Sequence, residues 1–194
     1  MPNLLNSWPE WLKSHEIPLR FHNASMKTPL EHQWEVYQSL WKIVTTEKDP
    51  LVFVRGNIGS GKTYAAIALA KHYHQQRVFP VYSNLAFLTS ELITIRQGGS
   101  LLKFGDLKKR FKDADVLILD DFGLHRQDDF LLELFYEVID VRANGNRSTV
   151  IFTNLTDRGL KETFTTPLLS RLAFFQLLTL PSVDLRKRDC VVNI

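Results

Sequence analysis

Cysteine is almost absent from this chain of 194 residues, in which Cys190 is the only one. A single cysteine excludes an internal disulfide and any zinc site built from several cysteines. The chain also lacks long apolar runs, and no basic stretch followed by an apolar one stands at its beginning. We therefore expect a cytoplasmic protein without a membrane segment.

A strong charge bias is missing as well, since the formal net charge is only +3. Residues 1–50 carry five basic and six acidic side chains, whereas residues 51–194 carry 19 and 15. This mild basic excess permits nucleic-acid binding without requiring it. Hydrophobic residues make up 44% of the chain, which is enough for one substantial core.

The most informative motif is the glycine-rich octapeptide Gly-Asn-Ile-Gly-Ser-Gly-Lys-Thr at residues 56–63. It completes the G-x-x-x-x-G-K-[ST] pattern of a phosphate-binding P-loop. An apolar run at 51–54 precedes it and an alanine-rich helical stretch at 64–74 follows, which is the strand–loop–helix context that the motif requires. The alternative interpretation is an ordinary glycine-rich turn before a helix. The motif predicts binding of ATP or GTP.

The residue types of this loop suit a nucleotide bound with Mg²⁺. Gly56, Gly59 and Gly61 let the backbone curl so closely that its N–H groups can point at phosphate oxygens. Lys62 is expected to reach the β- and γ-phosphates, and the Thr63 hydroxyl to ligate Mg²⁺. The predicted nucleotide-binding residues of the loop are Gly56, Asn57, Ile58, Gly59, Ser60, Gly61, Lys62 and Thr63.

Two carboxylates follow a second apolar run at residues 116–119, which is typical of a buried strand. Asp120 is expected to hold Mg²⁺ through water, and Asp121 to orient the attacking water. Paired acids after a strand also form ordinary turns. Because a complete P-loop lies upstream, we interpret the pair as the second half of an ATPase site.

Strand-like and helical stretches alternate beyond residue 50, which predicts a parallel sheet covered by helices on both faces. The predicted strands span 51–55, 78–83, 115–119, 148–153 and 174–180. The predicted helices span 61–76, 84–96, 105–112, 128–142 and 167–173. Upstream, Thr28-Pro29-Leu30-Glu31 predicts a helix start with a capping box. We divide the chain into an irregular N-terminal segment at 1–27, a candidate partner contact, and an ATPase domain at 28–194.

Two further residues are candidates for catalysis together with Asp121. Asn154 ends the strand 148–153 and is expected to contact the γ-phosphate or its water, although it also suits a turn cap. Arg171 ends a short helix. In an oligomer such an arginine can reach the neighbour's nucleotide, whereas a lone surface arginine would have no such role.

Four motifs occur in a fixed order: the P-loop, Asp120-Asp121-Phe122-Gly123, Phe152-Thr153-Asn154 and Ser170-Arg171-Leu172. Together they resemble the AAA+ ATPases of the DnaC/DnaI helicase-loader and IstB group, over roughly residues 17–188. The resemblance implies a three-layer αβα fold with five parallel strands. It also implies that Asn154 is sensor 1, Arg171 the trans arginine finger and Arg186 a sensor 2-like nucleotide contact. Only residues 181–194 follow the last predicted strand, which is too few for the helical lid domain of initiators and clamp loaders.

The same resemblance implies partners. It suggests an ATP-controlled homo-oligomer acting on a replicative DNA helicase or, in the IstB-like alternative, on a transposase. A third interpretation is a nucleotide-binding adaptor that does not hydrolyse ATP. Asp121 keeps it open because many hydrolysing relatives carry glutamate there, and so does Pro167, where some loaders carry arginine.

A basic segment with interleaved aromatic residues is the candidate surface for single-stranded DNA, since cations attract phosphates and rings stack on bases. Its residues are Lys103, Phe104, Lys108, Lys109, Arg110 and Lys112. The alternative is a solvated helix face whose phenylalanines pack inward.

Overall fold

The computed structural model describes residues 7–28, 33–99, 103–123, 128–145, 147–182 and 184–185. Five strands form a sheet: β1 (Leu51–Arg55), β2 (Val81–Asn84), β3 (Val116–Asp120), β4 (Ser148–Thr153) and β5 (Gln176–Thr179). They run parallel in the spatial order β2-β3-β4-β1-β5. β3 and β4 are buried along their whole length, as expected for strands covered on both faces.

Helices cover both faces of this sheet. In the described ranges they are α1 (Trp8–Ser14), α2 (Trp34–Thr46), α3 (Lys62–Gln75), α4 (Leu85–Arg96), α5 (Phe104–Asp113), α6 (Asp129–Asn144), α7 (Asp157–Thr163) and α8 (Thr166–Leu172). One apolar cluster joins α1, α2 and α3 to the sheet, and a second joins α4, α5, α6 and α8 to its other face. None of these helices is long and apolar enough to cross a membrane. The predicted three-layer α/β architecture with five parallel strands is confirmed.

The N-terminal segment contains α1, so the prediction that it is irregular is wrong. The Ser7 hydroxyl accepts from the Glu10 N–H at 3.4 Å and donates to the Glu10 carboxylate at 2.8 Å, which caps this helix. Pro9 lies in the first turn, where its missing N–H leaves no helical hydrogen bond unmade. Trp11 is completely buried and anchors α1 to the core. The prolines and tryptophans here therefore belong to a short packed helix.

Several boundaries differ from the predicted ones. α2 begins at Trp34, later than the motif at Thr28 predicts; Thr28 is not helical, and residues 29–32 lie outside the described residues. β2 begins after Pro80, which has no N–H to donate to a neighbouring strand. α7, capped by the Thr156 side chain, lies between the predicted strand 148–153 and the predicted helix 167–173, where no helix is predicted. Local capping chemistry accounts for this helix.

The parallel arrangement brings the carboxyl ends of β1, β3 and β4 to one edge of the sheet, with β4 between the other two. The glycine-rich loop leaves β1 there, Asp120 ends β3, and Asn154 follows β4. Ligand sites of open parallel sheets form at this edge. We name it the carboxyl edge.

Candidate functional site

The glycine-rich loop joins β1 to the amino end of α3 and is built by backbone contacts. The Gly56 N–H donates to the Thr153 carbonyl at 3.1 Å, and the Ser60 N–H donates to the Asn57 carbonyl at 3.1 Å. Gly59 and Gly61 have φ angles of 82° and 86°, which side-chain-bearing residues rarely adopt. The loop thus delivers its N–H groups to the start of a 14-residue helix, an arrangement suited to an anion.

Lys62 folds back over this loop. Its ammonium donates to the carbonyls of Gly56 and Asn57, both at 2.8 Å, and the residue is only 6% exposed. A buried ammonium held at an anion-binding loop supplies the positive charge that phosphate oxygens require. The predicted contact of Lys62 with phosphates stays a prediction.

Asp120 lies at the tip of β3 and is 2% exposed. Its Oδ1 accepts the Asp121 N–H at 3.0 Å and its Oδ2 accepts the Tyr82 hydroxyl at 3.2 Å. The Thr63 hydroxyl lies near enough to affect the pKa of this carboxyl. Burial, followed by the charge of Asp121, raises the pKa of Asp120 to about 6. The carboxylate therefore sits where a bound cation would stabilise it.

The Thr63 hydroxyl and the Asp120 carboxylate fit Mg²⁺ in kind, because that ion prefers oxygen ligands and keeps most of its water. In the part of the chain that the structure describes, no cluster of three or more His, Cys, Asp or Glu residues could hold a metal by itself. A magnesium ion that arrives with a nucleotide needs only one or two protein oxygens, since phosphates and water supply the others. The residues present thus fit a metal that binds together with a nucleotide.

Asp121 turns away from the core. Its φ of 52° lies in the left-handed region, which aspartate tolerates better than most residues, and its side chain is exposed. The turn is fixed behind it, because the Phe122 N–H donates to the Phe152 carbonyl at 2.8 Å and the Thr153 hydroxyl donates to the Phe122 carbonyl at 2.5 Å. The exposed carboxylate of Asp121 therefore stands beside the buried one of Asp120 at the carboxyl edge.

The other two candidates for catalysis lie in different settings. Asn154 is exposed directly after β4, at the same edge as Asp121. Arg171, near the end of α8, donates from its Nε to the Asp140 carboxylate on α6, and this contact raises the pKa of Arg171. Arg186, the predicted sensor 2-like contact, lies outside the described residues.

The predicted DNA surface forms most of α5, and several of its cations already have acidic partners. Lys108 contacts Glu133 and Glu137 at 2.9 Å each, and Lys112 contacts Glu137 at 2.5 Å. The Arg110 guanidinium pairs with both Glu91 oxygens, at 3.2 and 2.9 Å.

The remaining candidates on this surface differ from one another. Lys103 and Lys109 are exposed. Phe104 packs edge-on against Phe130 at 5.2 Å between ring centroids. Phe111, the other phenylalanine of α5, is completely buried and packs inward.

The structure adds residues at the loop that no motif indicates. Gln33 is 3% exposed and donates from its side-chain amide to the Ser60 carbonyl, and a side chain at Gly61 would collide with it. From the other side, the Asn57 amide donates to the Ser182 hydroxyl at 2.6 Å. These contacts join segments far apart in the chain, so the sequence contains no local signal for them.

Comparisons with known proteins agree with this geometry. The family model described as IstB-like ATP binding protein matches residues 30–178. A protein of insertion sequence IS1162 from Pseudomonas fluorescens, named for ATP binding, is 35% identical over 104 residues, which are 54% of this chain and 43% of that protein. The replicative helicase loader DnaC of Buchnera aphidicola subsp. Schizaphis graminum is 26% identical over 108 residues, 55% of this chain and 43% of DnaC. The chain thus spans less than half the length of these relatives.

Among solved structures, AMPPCP-bound DnaA from Aquifex aeolicus matches with a TM-score of 0.70 and 15% identity. The match covers 84% of this chain and 52% of DnaA. At this identity the likeness concerns the fold, which is the predicted AAA+ P-loop fold.

Proposed function

The chain belongs to the family of IstB-like ATP-binding proteins, and from that premise we propose that it is an ATP-dependent accessory ATPase of DNA replication, of the helicase-loader type. In this proposal the protein binds ATP with Mg²⁺, assembles with copies of itself, and acts on a replicative helicase and single-stranded DNA. Support for this type comes from the similarity to a replicative helicase loader.

One observation carries the proposal: the parallel sheet places the glycine-rich loop that leaves β1 and the buried Asp120 carboxylate that ends β3 at the same edge, with only β4 between the two strands. Two separate motifs, one for phosphate and one for a metal, thereby face the same space at the carboxyl edge. A glycine-rich turn or a pair of turn-forming acids would not require this shared position. It supports a site for a triphosphate bound with Mg²⁺.

Each residue at the edge has a role in this proposal. Lys62 exchanges its two carbonyl partners for phosphate oxygens, and Thr63 and Asp120 hold Mg²⁺, which neutralises phosphate charge when bound. The exposed carboxylate of Asp121 orients the attacking water, and Asn154 donates to that water or to the γ-phosphate. The proposed chemistry is therefore in-line attack of water on the γ-phosphorus, in which the bond to the β–γ bridging oxygen breaks and ADP and phosphate are released.

Oligomerisation completes the proposed site. Arg171 would leave Asp140 and reach the nucleotide of a neighbouring copy, where it neutralises transition-state charge. We assign these roles to an ATPase domain at 28–194. The segment at 1–27 is a proposed partner contact, and Leu19, at 83% exposure, is its most accessible large apolar side chain among the described residues.

The second candidate is an IstB-like transposition helper, which would act on duplex DNA and a transposase. The family match favours it, and so does the 35% identity to the insertion-sequence protein, against 26% to DnaC. The third candidate, a nucleotide-binding adaptor, differs from both in having no turnover.

Nucleotide binding is tested with Lys62→Ala. Loss of a charged hydrogen bond of about 2–3 kcal/mol should weaken ATP binding roughly 30- to 150-fold, measured with a fluorescent analogue. Lys71→Ala is the matched control, because Lys71 lies on the same helix but its ammonium faces the Trp8 ring at 5.8 Å. Wild-type affinity in a folded Lys62→Ala variant would refute the site.

Partner choice is tested by capture of purified proteins from the same genome on immobilised wild-type protein, with ATP and with ADP. Retention of the replicative helicase in ATP supports the loader. Retention of a transposase instead supports the second candidate. If ATP is hydrolysed and neither protein is retained, both partner assignments are wrong.

A further inference from the structure

Tyr82, on the edge strand β2, belongs to no motif, yet its hydroxyl reaches the site. In the parallel register Tyr82 lies opposite Ile118, two residues before Asp120, so the side chains of Tyr82 and Asp120 share a face of the sheet. The Tyr82 hydroxyl donates to Asp120 Oδ2 at 3.2 Å, and the residue is 5% exposed. A neighbouring strand thus supplies a donor to the central carboxylate of the site.

Packing holds the Tyr82 ring independently of that hydrogen bond. Trp11 contacts the ring edge-on at 6.0 Å between centroids, and His15 does so at 6.2 Å. Both residues come from the N-terminal part of the chain, α1 and the residue after it. The ring is therefore placed by the core, and its hydroxyl is aimed by that placement.

The direction of the Tyr82 hydroxyl proton follows from its partner, because an ionised carboxylate can only accept, and the proton therefore points at Asp120 Oδ2. Asn84 lies near the same hydroxyl: burial raises the pKa of Tyr82, and the Asn84 side chain opposes that rise. The Asn84 Oδ1 accepts the Phe87 N–H at 2.8 Å and caps α4. The NH₂ group is thus the part of Asn84 that can donate to the Tyr82 oxygen.

Both oxygens of Asp120 are consequently fixed. Oδ2 is held by Tyr82, and Oδ1 accepts the Asp121 N–H at 3.0 Å. We propose that Tyr82, directed by Asn84, is a positioning residue that holds the Asp120 carboxylate in the orientation that Mg²⁺ requires. The inference rests on the proposed ATP–Mg²⁺ site and deepens it, because outer-shell donors of this kind orient metal ligands.

Tyr82→Phe tests the inference, since it keeps the ring in contact with Trp11 and His15 and removes only the hydroxyl. ATP affinity is measured once with Mg²⁺ and once with EDTA. We expect the affinity gained from Mg²⁺ to fall roughly 10-fold, the low end of outer-shell effects, while the affinity in EDTA is unchanged. A residue with only a packing role would alter both measurements or neither.

Two further variants make the result specific. Tyr37→Phe removes another buried hydroxyl, one without a hydrogen-bond partner among the described residues, and should leave the Mg²⁺ gain unchanged. Asn84→Ser keeps an oxygen to cap α4, but serine is too short to reach Tyr82, so the gain in ATP affinity from Mg²⁺ should fall by less than in Tyr82→Phe. Adding Asn84→Ser to Tyr82→Phe should lower this gain no further, because Asn84 acts through Tyr82.

The outcomes separate the two proposals. A wild-type protein that binds no ATP, or gains nothing from Mg²⁺, refutes the proposed function and this inference with it. If wild type gains affinity from Mg²⁺ and Asp120→Asn does not, the site stands; an unchanged gain in Tyr82→Phe then overturns only the role of Tyr82. If Tyr82→Phe does not fold, Asn84→Ser decides: an undiminished gain overturns the inference.

Discussion

The carboxyl edge and the exposed face of α6 both gather charged groups, but these groups have opposite kinds of partners. At the edge, the hydrogen bonds described for Asp120 come from neutral donors: the Tyr82 hydroxyl and a backbone N–H. On α6, carboxylates pair with the very cations that the sequence predicts to act on DNA or nucleotide. Those carboxylates are Glu133 and Glu137, which bind Lys108 and Lys112, and Asp140, which binds Arg171.

The pKa values of Asp120 and Glu137 differ in the direction that these contacts predict. Burial first, and then Asp121, raises the pKa of Asp120 to about 6, whereas hydrogen bonds from Lys112 and Lys108 lower that of Glu137 to about 2. A buried carboxylate with a raised pKa, such as Asp120, is stabilised when a cation binds beside it. The lowered pKa of Glu137 reflects the two lysines that already lie beside it. The raised pKa of Asp120 thus agrees with the proposal that the edge receives a cation, whereas the face of α6 is already neutralised.

Substitution of Arg171 gives the largest expected effect on turnover. In the proposed function, Arg171 leaves Asp140 on α6 and reaches the nucleotide at the carboxyl edge of a neighbouring copy. If it acts on a neighbour's nucleotide, turnover per subunit should rise with protein concentration. Arg171→Ala should then lower turnover at high protein concentration roughly 10³-fold, while the single chain retains its affinity for ATP. Asp140→Asn should move the rise to lower concentration, since it loosens the contact that holds Arg171 on α6.

Controls separate the trans role from a surface effect. Arg158→Ala removes an exposed arginine that pairs with Glu162 on α7 and should leave turnover unchanged. Mixing Arg171→Ala with Lys62→Ala subunits should recover part of the activity, because some interfaces then combine an intact loop with an intact arginine. Turnover that stays constant per subunit, with no recovery in the mixture, would leave Arg171 as a structural partner of Asp140.

Asp121→Asn tests the edge itself. Asparagine tolerates the left-handed backbone that Asp121 adopts, so the change removes the charge with little strain. ATP should still bind, and turnover should fall about 10²-fold or more, as for loss of a general base. An unchanged rate would move the water-orienting role to another residue, and a wild type without turnover would favour the adaptor.

How far the sequence predicts this molecule depends on how local each contact is. The strand–loop–helix order around residues 56–63 is contiguous, so the P-loop and the α/β class follow from it, and the structure confirms the class. The contact of Tyr82 with Asp120 depends on which strands are neighbours, which strand spacing alone does not determine. The pairing of Arg171 with Asp140 depends on how α8 packs on α6, and nothing in the local pattern indicates it.

The DNA prediction can be sharpened by the same comparison. Lys108 is already neutralised by two glutamates, whereas Lys109, its neighbour on α5, is exposed. If α5 contacts single-stranded DNA, Lys109→Glu should weaken binding more than Lys108→Glu, and should lower the salt slope by about 0.7 for one phosphate contact. Lys42→Glu, an exposed reversal on α2 across the sheet, is the control. Binding that ignores both α5 variants would make α5 an ordinary solvated face.

Glu137→Gln gives the smallest effect and tests whether the face of α6 is neutralised for stability. The folded-state pKa of Glu137 is lowered from its ordinary 4.5 to about 2, so its contribution is fully present above pH 4.5 and is lost as pH falls toward 2. Glu137 is 32% exposed, and solvent screening limits the contribution to about 0.5–1 kcal/mol. Urea unfolding should therefore show the variant less stable than wild type by this amount at pH 7. The two proteins should converge near pH 2.

Salt concentration provides a second test of whether Glu137 acts through its charge. At about 1 M salt the gap at pH 7 should shrink, because exposed ion pairs are screened over a few ångströms. Glu162→Gln is the matched control, since its pair with Arg158 on α7 is more exposed, at 61% and 88%, and should contribute less. A gap that stays constant from pH 7 to 2 would mean that Glu137 acts through packing, not through charge. The ion pairs of Lys108 and Lys112 with α6 would then be weak, and both lysines of α5 would be available to bind DNA.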